Sequence, residues 1–284
     1  MKKKSAPASV EQHMRELERQ LRHHQKLYYI KHAPEISDVE FDRLFAELQK
    51  LEEKHPELAS PHSPTRQIGS DLSGDFPRFQ HTVPVLSLSN TYSTAEALQW
   101  AQKIAREFQN VTFSVQWKID GATLVCYYHE GQLERAVTRG SGQIGDEITA
   151  NARTIADIPH HLTEIVDLVV RGEVYMHFQD FDDFNQLAGN RYANPRNLTA
   201  GSLKQKNPAD VALRPLRYVA FDGYSATAAI KDDARMQEWL NRLGVSTFAD
   251  QSFVECEALE EEILRRESLR FSLPYPVDGL VLKV

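Results

Sequence analysis

Between residues 56 and 84 the chain holds Pro56, Pro61, Pro64, Gly69, Gly74, Pro77 and Pro84. Proline removes a backbone donor and fixes φ, while glycine loosens the backbone, so no helix or strand of ordinary length crosses this stretch. It reads as a long linker, and it separates two parts with different periodicity. Before it, apolar residues recur at helical spacing. After it, short runs rich in Val, Tyr and Thr alternate with separate helical segments. A chain that must satisfy both periods is at least bipartite, in keeping with 284 residues at about 150 per domain.

In the first part, residues 1 to 9 read as a loose tail. Ser9 is placed to cap a helix over residues 10 to about 33, with Met14, Leu17, Leu21 and Tyr28 on one stripe and Pro34 as its stop. Ser37 and Glu40 have capping-box spacing for a second helix ending near Lys54, whose apolar face is Phe41, Leu44, Phe45, Leu48 and Leu51. The two make a helical hairpin. In the second part, Ser93 and Glu96 open a helix to about residue 108. Strands are expected over 112–119, 122–129 and 133–139, with a hairpin at Gly131, and again over 168–176, 216–221 and 277–284. Helices are expected over 178–188, 231–243 and 259–266. The pattern is α+β, with antiparallel sheets flanked by helices.

Lys plus Arg is 33 against 40 Asp plus Glu, a net charge of −7, which argues against a nonspecific nucleic-acid coat protein but leaves a local basic groove open. With Cys126 and Cys256 as its two cysteines, the chain can build neither a disulfide framework nor a four-cysteine zinc site. No apolar run approaches 18 residues, so no membrane span is expected, and no apolar segment follows Lys2-Lys3-Lys4 to make a secretory signal. The expectation is a reduced, soluble, cytoplasmic protein.

Five short motifs could carry chemistry. In Lys118-Ile119-Asp120-Gly121 the alternation of a strand puts Lys118 and Asp120 on one face, as a nucleophilic amine beside a carboxylate or as a surface ion pair before a turn. Gly140-Ser141-Gly142-Gln143-Ile144-Gly145 fits a dinucleotide fingerprint by letter, with a short helix expected at Asp146. However, it follows one half of a hairpin rather than opening a βαβ unit, so the Rossmann reading fails. In Arg171-Gly172-Glu173-Val174, Glu173 closes an apolar strand, as a hydroxyl acceptor, a metal ligand or a structural ion pair. Asn194-Pro195-Arg196-Asn197 and Gly201-Ser202-Leu203-Lys204 offer two cations in a turn-rich loop, for phosphate or for solvent. Asp278-Gly279-Leu280-Val281-Leu282-Lys283 reads as a buried strand whose lysine either meets an anionic ligand or snorkels. His23-His24 and His160-His161 sit in no metal-spaced frame and are expected to be solvated or capping.

Taken in order, these motifs resemble those of the covalent nucleotidyltransferases, and more closely the bacterial NAD-dependent DNA ligases. The stretch around Tyr28 and Asp38 to Asp42 is similar to that family's helical hairpin for nicotinamide mononucleotide (NMN). His81-Thr82-Val83-Pro84-Val85-Leu86-Ser87-Leu88-Ser89-Asn90 is similar to the entry into its catalytic domain. The resemblance runs from about residue 15 to the last residue.

It implies a ligase-type nucleotidyltransferase core after the hairpin, with a helical NMN-binding subdomain over 1–70 and an adenylation domain over 71–284. It also implies a chemistry. Lys118 attacks the α-phosphate of NAD+ and becomes lysyl-AMP, with Asp120 as the second catalytic residue and Mg2+ as the Lewis acid. Tyr28, Tyr29, Asp38, Phe41 and Asp42 hold NMN. Ser87, Leu88, Gln116, Gly121, Arg139, Glu173 and Lys283 hold the AMP half, with Lys283 also a cation neighbouring Lys118. Arg196 and Lys204 serve later steps on the phosphates of nicked double-stranded DNA. The implied setting is a monomer in the bacterial cytoplasm, near the nucleoid. The chain departs from the family where Gln116 replaces a usual Glu, Tyr29 a His, Phe41 a Tyr, Ser141 an Asp and Lys204 an Arg, and where Asp146-Glu147 reverses the usual order. By the same resemblance the catalytic domain continues past Val284 to a further lysine motif and then to other modules. The expectation for this length is therefore self-adenylation without nick sealing. Two other readings are an ATP- or GTP-using nucleotidyltransferase and a nucleotide-binding module without catalysis.

Overall fold

The computed structural model describes residues 8–28, 35–60, 63–65, 72, 74–86, 88–228, 230 and 232–284. Two compact units emerge: Met1–Ser87 with Arg139–Asp146, and Leu88–Thr138 with Glu147–Val284.

In the first unit, α1 (Ala8–Lys26) packs on α2 (Asp38–Lys54). Met14, Leu17, Leu21 and Leu48 form the buried seam, with Phe41, Leu44, Phe45 and Leu51 around it. The apolar stripe read from the sequence is this seam. α2 starts where the capping box places it: Glu40 N–H donates to Ser37 Oγ, and the Ser37 N–H donates back to Glu40 Oε2 at 3.0 Å. α1 starts ahead of Ser9 and ends at Lys26 in a π-type turn over residues 27–28, and the expected continuation toward residue 33 lies outside the described residues. The linker is not wholly irregular. Its strand β1 (Arg78–Gln80) pairs antiparallel with a later strand, Ile144–Asp146, so that Arg78 faces Asp146. That later strand occupies the place where a short helix was expected. The Gly-rich turn before it folds back on itself, Gly140 and Gly142 both having positive φ, and it accepts from the His81 and Val85 amides at 2.8 Å.

The second unit carries two antiparallel sheets. Helix α3 (Thr94–Glu107) leads into β2 (Phe113–Ile119), β3 (Ala122–His129) and β4 (Gln132–Thr138). With Ile144–Asp146 numbered β5, there follow α4 (Thr149–Ala152), β6 (Leu168–Tyr175), α5 (Phe178–Leu187), α6 (Pro195–Leu203), α7 (Pro208–Ala212), β7 (Arg217–Tyr224), α8 (Asp233–Arg242), β8 (Ser252–Val254), α9 (Leu259–Leu269) and β9 (Val277–Lys283). Among the described residues the strand orders are β8-β2-β9 and β4-β3-β6-β7. Glu130 and Gly131 both have positive φ, the geometry of the hairpin expected at Gly131.

Three expectations change. Residues 195–203 are helical, not loop: Asn194 caps through the Asn197 amide at 2.8 Å, and Pro195 takes the first helical position, where its missing N–H costs nothing. β9 lies at a sheet edge and is half-buried along most of its length, rather than a buried strand. β2 ends at Ile119, so Asp120 is in the turn and does not share a strand face with Lys118.

Candidate active site

β2 is the central strand of its sheet, and its alternation separates packing from chemistry. Phe113 and Val115 point into a core with Ala101 of α3 and Leu259 of α9, where Leu280 and Leu282 of β9 join them. Ser114, Gln116 and Lys118 point to the other face. Lys118 is opposite Gly279, and its ammonium donates to Asp278. The pairing of β2 and β9 slips between Lys118 and Ile119, and the chain then turns, the Asp120 amide donating to the Pro276 carbonyl at 2.9 Å.

The turn carries the chain from one sheet to the other. Gly121 fits there because a Cβ would sit 2.1 Å from the Val174 carbonyl oxygen of β6. Asp120 pairs with Arg196, which donates at 2.5 Å from the first turn of α6. On β6, Glu173 is opposite Thr123 and accepts its hydroxyl at 3.0 Å. Burial pushes the Glu173 carboxyl up to about 7, against the pull of Arg196, the Thr123 hydroxyl and Lys118, with Asp120 pushing the same way as burial. Lys118, Asp120, Gly121, Glu173 and Arg196 thus gather where the two sheets meet.

Gln116 and Lys283 lie further along the same face of β2. Lys283 is opposite Ser114, four residues from Lys118, about 13 Å at 3.3 Å per residue. Its ammonium donates to Asp233 Oδ1 at 3.0 Å and to the Phe221 carbonyl at 2.6 Å. Lys283 is therefore not the charge in contact with Lys118; the group there is Asp278, a carboxylate. The partner expected for a half-buried lysine is a residue of this chain. Gln116 is buried and also reaches Asp233.

The remaining predicted residues are spread more widely. Lys204 is the C-cap of α6, at the opposite end from Arg196. Leu88 is exposed. In the other unit, the Arg139 carbonyl accepts from His81 Nε2 at 3.3 Å. Tyr28 is half-buried in the turn after α1, Asp42 is on α2, and Phe41 lies partly in the hairpin seam with its ring 6.3 Å from that of Phe45. Tyr29, Ser87 and the side chain of Asp38 lie outside the described residues. His23 is 3.2 Å from Glu35 and lies beside His24, a grouping with metal-ligand chemistry, but the His23–Glu35 contact is an exposed pair that accounts for it.

Reading by motif missed Asp233, Gln251 and a buried cation. Arg266 of α9 is fully buried, bonds Glu262 at 2.7 Å, and lies 5.3 Å from the centre of the Trp117 ring. Trp117 in turn donates to Asp250 at 2.9 Å, so the residue next to Lys118 is held by Arg266 of α9 and by Asp250 of the segment ahead of β8. In the sequence, Arg266 belongs to a charge-rich helical run that looks solvated.

Residues 73–284 match the family model described as NAD-dependent DNA ligase adenylation domain, and residues 7–69 the one described as DNA ligase-like, N-terminal NAD+-binding domain. A curated protein named DNA ligase from Leptospira biflexa serovar Patoc is 45% identical over 286 residues, covering 100% of this chain and 42% of that protein. Another DNA ligase, from Leptospira interrogans serogroup Icterohaemorrhagiae serovar copenhageni, is 47% identical over 268 residues, covering 93% and 39%. A solved structure named "Pmar-Lig_Pre." aligns with a TM-score of 0.41 at 12% identity, over 86% of this chain and 50% of that one. The chain spans about two fifths of the length of these curated relatives. With most of its residues inside the adenylation-domain family and the rest of the match in the NAD+-binding domain ahead of it, the chain belongs to the NAD-dependent DNA ligases.

Proposed function

We propose that this chain transfers AMP from NAD+ to Lys118, and that in the longer protein this AMP passes to the 5′-phosphate of nicked double-stranded DNA before the strands are joined. The observation that carries the reading is the setting of Lys118, with its amine on Asp278 and within electrostatic reach of Glu173, in a member of this family.

In the proposed step, Lys118 Nζ gives up a proton to solvent and bonds to the α-phosphorus. The bond from that phosphorus to the bridging oxygen breaks, and NMN leaves with the electron pair. Positioning and charge neutralisation do most of the work in such a displacement. Asp278 aims the amine. Asp120 holds Arg196 at the site, and Arg196 supplies positive charge toward phosphate oxygens, while Lys283, held beside Gln116 by Asp233, serves the nucleotide further along β2. Glu173, whose carboxyl burial pushes up to about 7, takes a ribose hydroxyl as donor or as acceptor. Gln116, Gly121, Ser87, Leu88 and Arg139 complete the AMP half. Tyr28, Tyr29, Asp38, Phe41 and Asp42 bind NMN, and Arg196 with Lys204 serves DNA phosphates afterwards. Mg2+ would neutralise charge on the α-phosphate when bound. Asp120, Glu173 and Asp278 do not converge as a ligand cluster, Asp120 and Asp278 being taken by Arg196 and Lys118, so the residues present do not form a cage for it.

We take residues 1–70 as the NMN-binding subdomain and 71–284 as the adenylation domain. The two family matches, ending at residue 69 and resuming at residue 73, support that division. We place the chain in the bacterial cytoplasm, near the nucleoid, as a monomer. Two free cysteines suit that compartment, and among the described residues no helix is long and apolar enough to cross a membrane.

The test is intact-mass spectrometry after incubation with NAD+. The chain should gain one AMP, and Lys118→Ala should gain none. An adduct that survives that substitution overturns the assignment. An adduct from ATP but not NAD+ overturns the choice of donor. Binding of NAD+ without an adduct points to a nucleotide-binding module.

A further inference from the structure

Gln116 and Lys283 share one carboxylate. Asp233 is the first residue of α8, with its side chain 15% exposed. Its Oδ1 accepts from Lys283, while its Oδ2 accepts from Ser114 Oγ at 2.8 Å, Gln251 Nε2 at 2.5 Å and Gln116 Nε2 at 3.3 Å. An ionised carboxylate only accepts hydrogen bonds, so the atom that Gln116 turns toward it must be the amide nitrogen. That orients the amide on chemical grounds, independent of how N and O are told apart. Gln116 is 1% exposed, and among the described residues no group donates to its Oε1. An acceptor with no donor therefore stands two residues from Lys118 on the same face of β2.

We propose that Asp233 is a positioning residue for base selection: it pins the Gln116 amide so that Oε1 is offered to the exocyclic amine of the purine. This rests on the reading that AMP lies against this face of β2. An amine donor at that place is accepted, whereas a ring carbonyl meets Oε1 acceptor to acceptor. The site therefore takes an adenine nucleotide and rejects a hypoxanthine one. The same geometry explains why an amide stands at 116, where the resembling family usually has Glu. A carboxylate there would face Asp233 with like charge in a half-buried setting. Residues 116 and 233 are thus a matched pair, and Lys283 balances the charge that the pair retains.

The test compares binding of NAD+ and nicotinamide hypoxanthine dinucleotide by calorimetry, using the whole chain. The unmodified chain should prefer NAD+ by about tenfold or more, the scale of one hydrogen bond gained against one unmade. In Asp233→Asn the new amide can donate to Gln116 Oε1, the side chain is free to turn, and the preference should collapse toward unity. Any loosening of Lys283 acts on both dinucleotides alike and cancels in the ratio. If Asp233→Asn does not fold, Asp233→Ser makes the same measurement, since a hydroxyl can donate as well as accept. Equal weakening of both dinucleotides with the ratio unchanged overturns the proposal and leaves Asp233 as a counter-ion for Lys283. Failure of the unmodified chain to bind either dinucleotide overturns the reading beneath it, and the proposal with it.

Discussion

Glu173 combines a motif position with a carboxyl pushed from 4.5 to about 7 by burial. Between those values the native chain keeps a proton that the unfolded chain has released. The contribution of Glu173 to stability is therefore greatest below about pH 4.5, falls as pH rises toward 7, and levels off above it. The shift corresponds to about 3 kcal/mol as an upper bound. Urea midpoints from pH 4 to 8 should show Glu173→Gln with a flatter profile than the unmodified chain; parallel profiles would refute the argument. At this scale the sequence makes some residues visible and hides others. Lys118 and Glu173 stand out because they sit in short ordered motifs. Asp233 does not, since it sits 117 positions after Gln116 and looks like any acidic residue opening a helix. Arg266 is hidden for a similar reason, its burial depending on Trp117 across the sheet.

Elements with local signals are the ones that sequence reading locates. α2 begins at its capping box, and the β3–β4 hairpin turns at Glu130-Gly131, because both signals lie within a few residues. α6 carried an equally local signal in Asn194-Pro195, but Gly201 and Ser202 further along look like loop chemistry and masked it. β8 and β1, three residues each, are strands only because distant partners complete their ladders, and no local pattern announces them. The tightest element-level constraint is the turn between β2 and β3. A Cβ at Gly121 would meet the Val174 carbonyl at 2.1 Å and Glu173 Cγ at 3.0 Å, and the nearer atom is backbone that cannot rotate away. Gly121→Ala should lose about 1–3 kcal/mol in urea denaturation, together with the AMP adduct. An alanine variant with the original midpoint would show that this approach is looser than described.

For the whole molecule, the two units carry separate cores of unequal size. The hairpin buries Met14, Leu17, Leu21 and Leu48, a small seam for an independent fold. The chain's three tryptophans, Trp100, Trp117 and Trp239, all belong to the second unit. Unfolding should therefore not be two-state: helical signal in the far ultraviolet should begin to fall at lower urea than tryptophan fluorescence changes. Coincident curves would mean that the cores melt together. The bipartite plan was legible from the change of period across the proline-rich stretch. The return of residues 139–146 to the first unit was not, because it depends on β1 finding a partner more than sixty residues later.

The turn at Gly121 leaves the amine of Lys118 on one sheet and the carboxylate of Glu173 on the other, joined by two residues of covalent chain. The site is mounted like a pair of jaws on a common pin. A second tie, from the Lys283 ammonium of β9 to the Phe221 carbonyl of β7, joins the same two sheets further along, so the gap between the Lys118 amine and the Glu173 carboxylate is set at two places. A spacing held at two ties passes a disturbance at either one to the other, so a change at the Gly121 turn is felt where Lys283 meets β7, and the reverse.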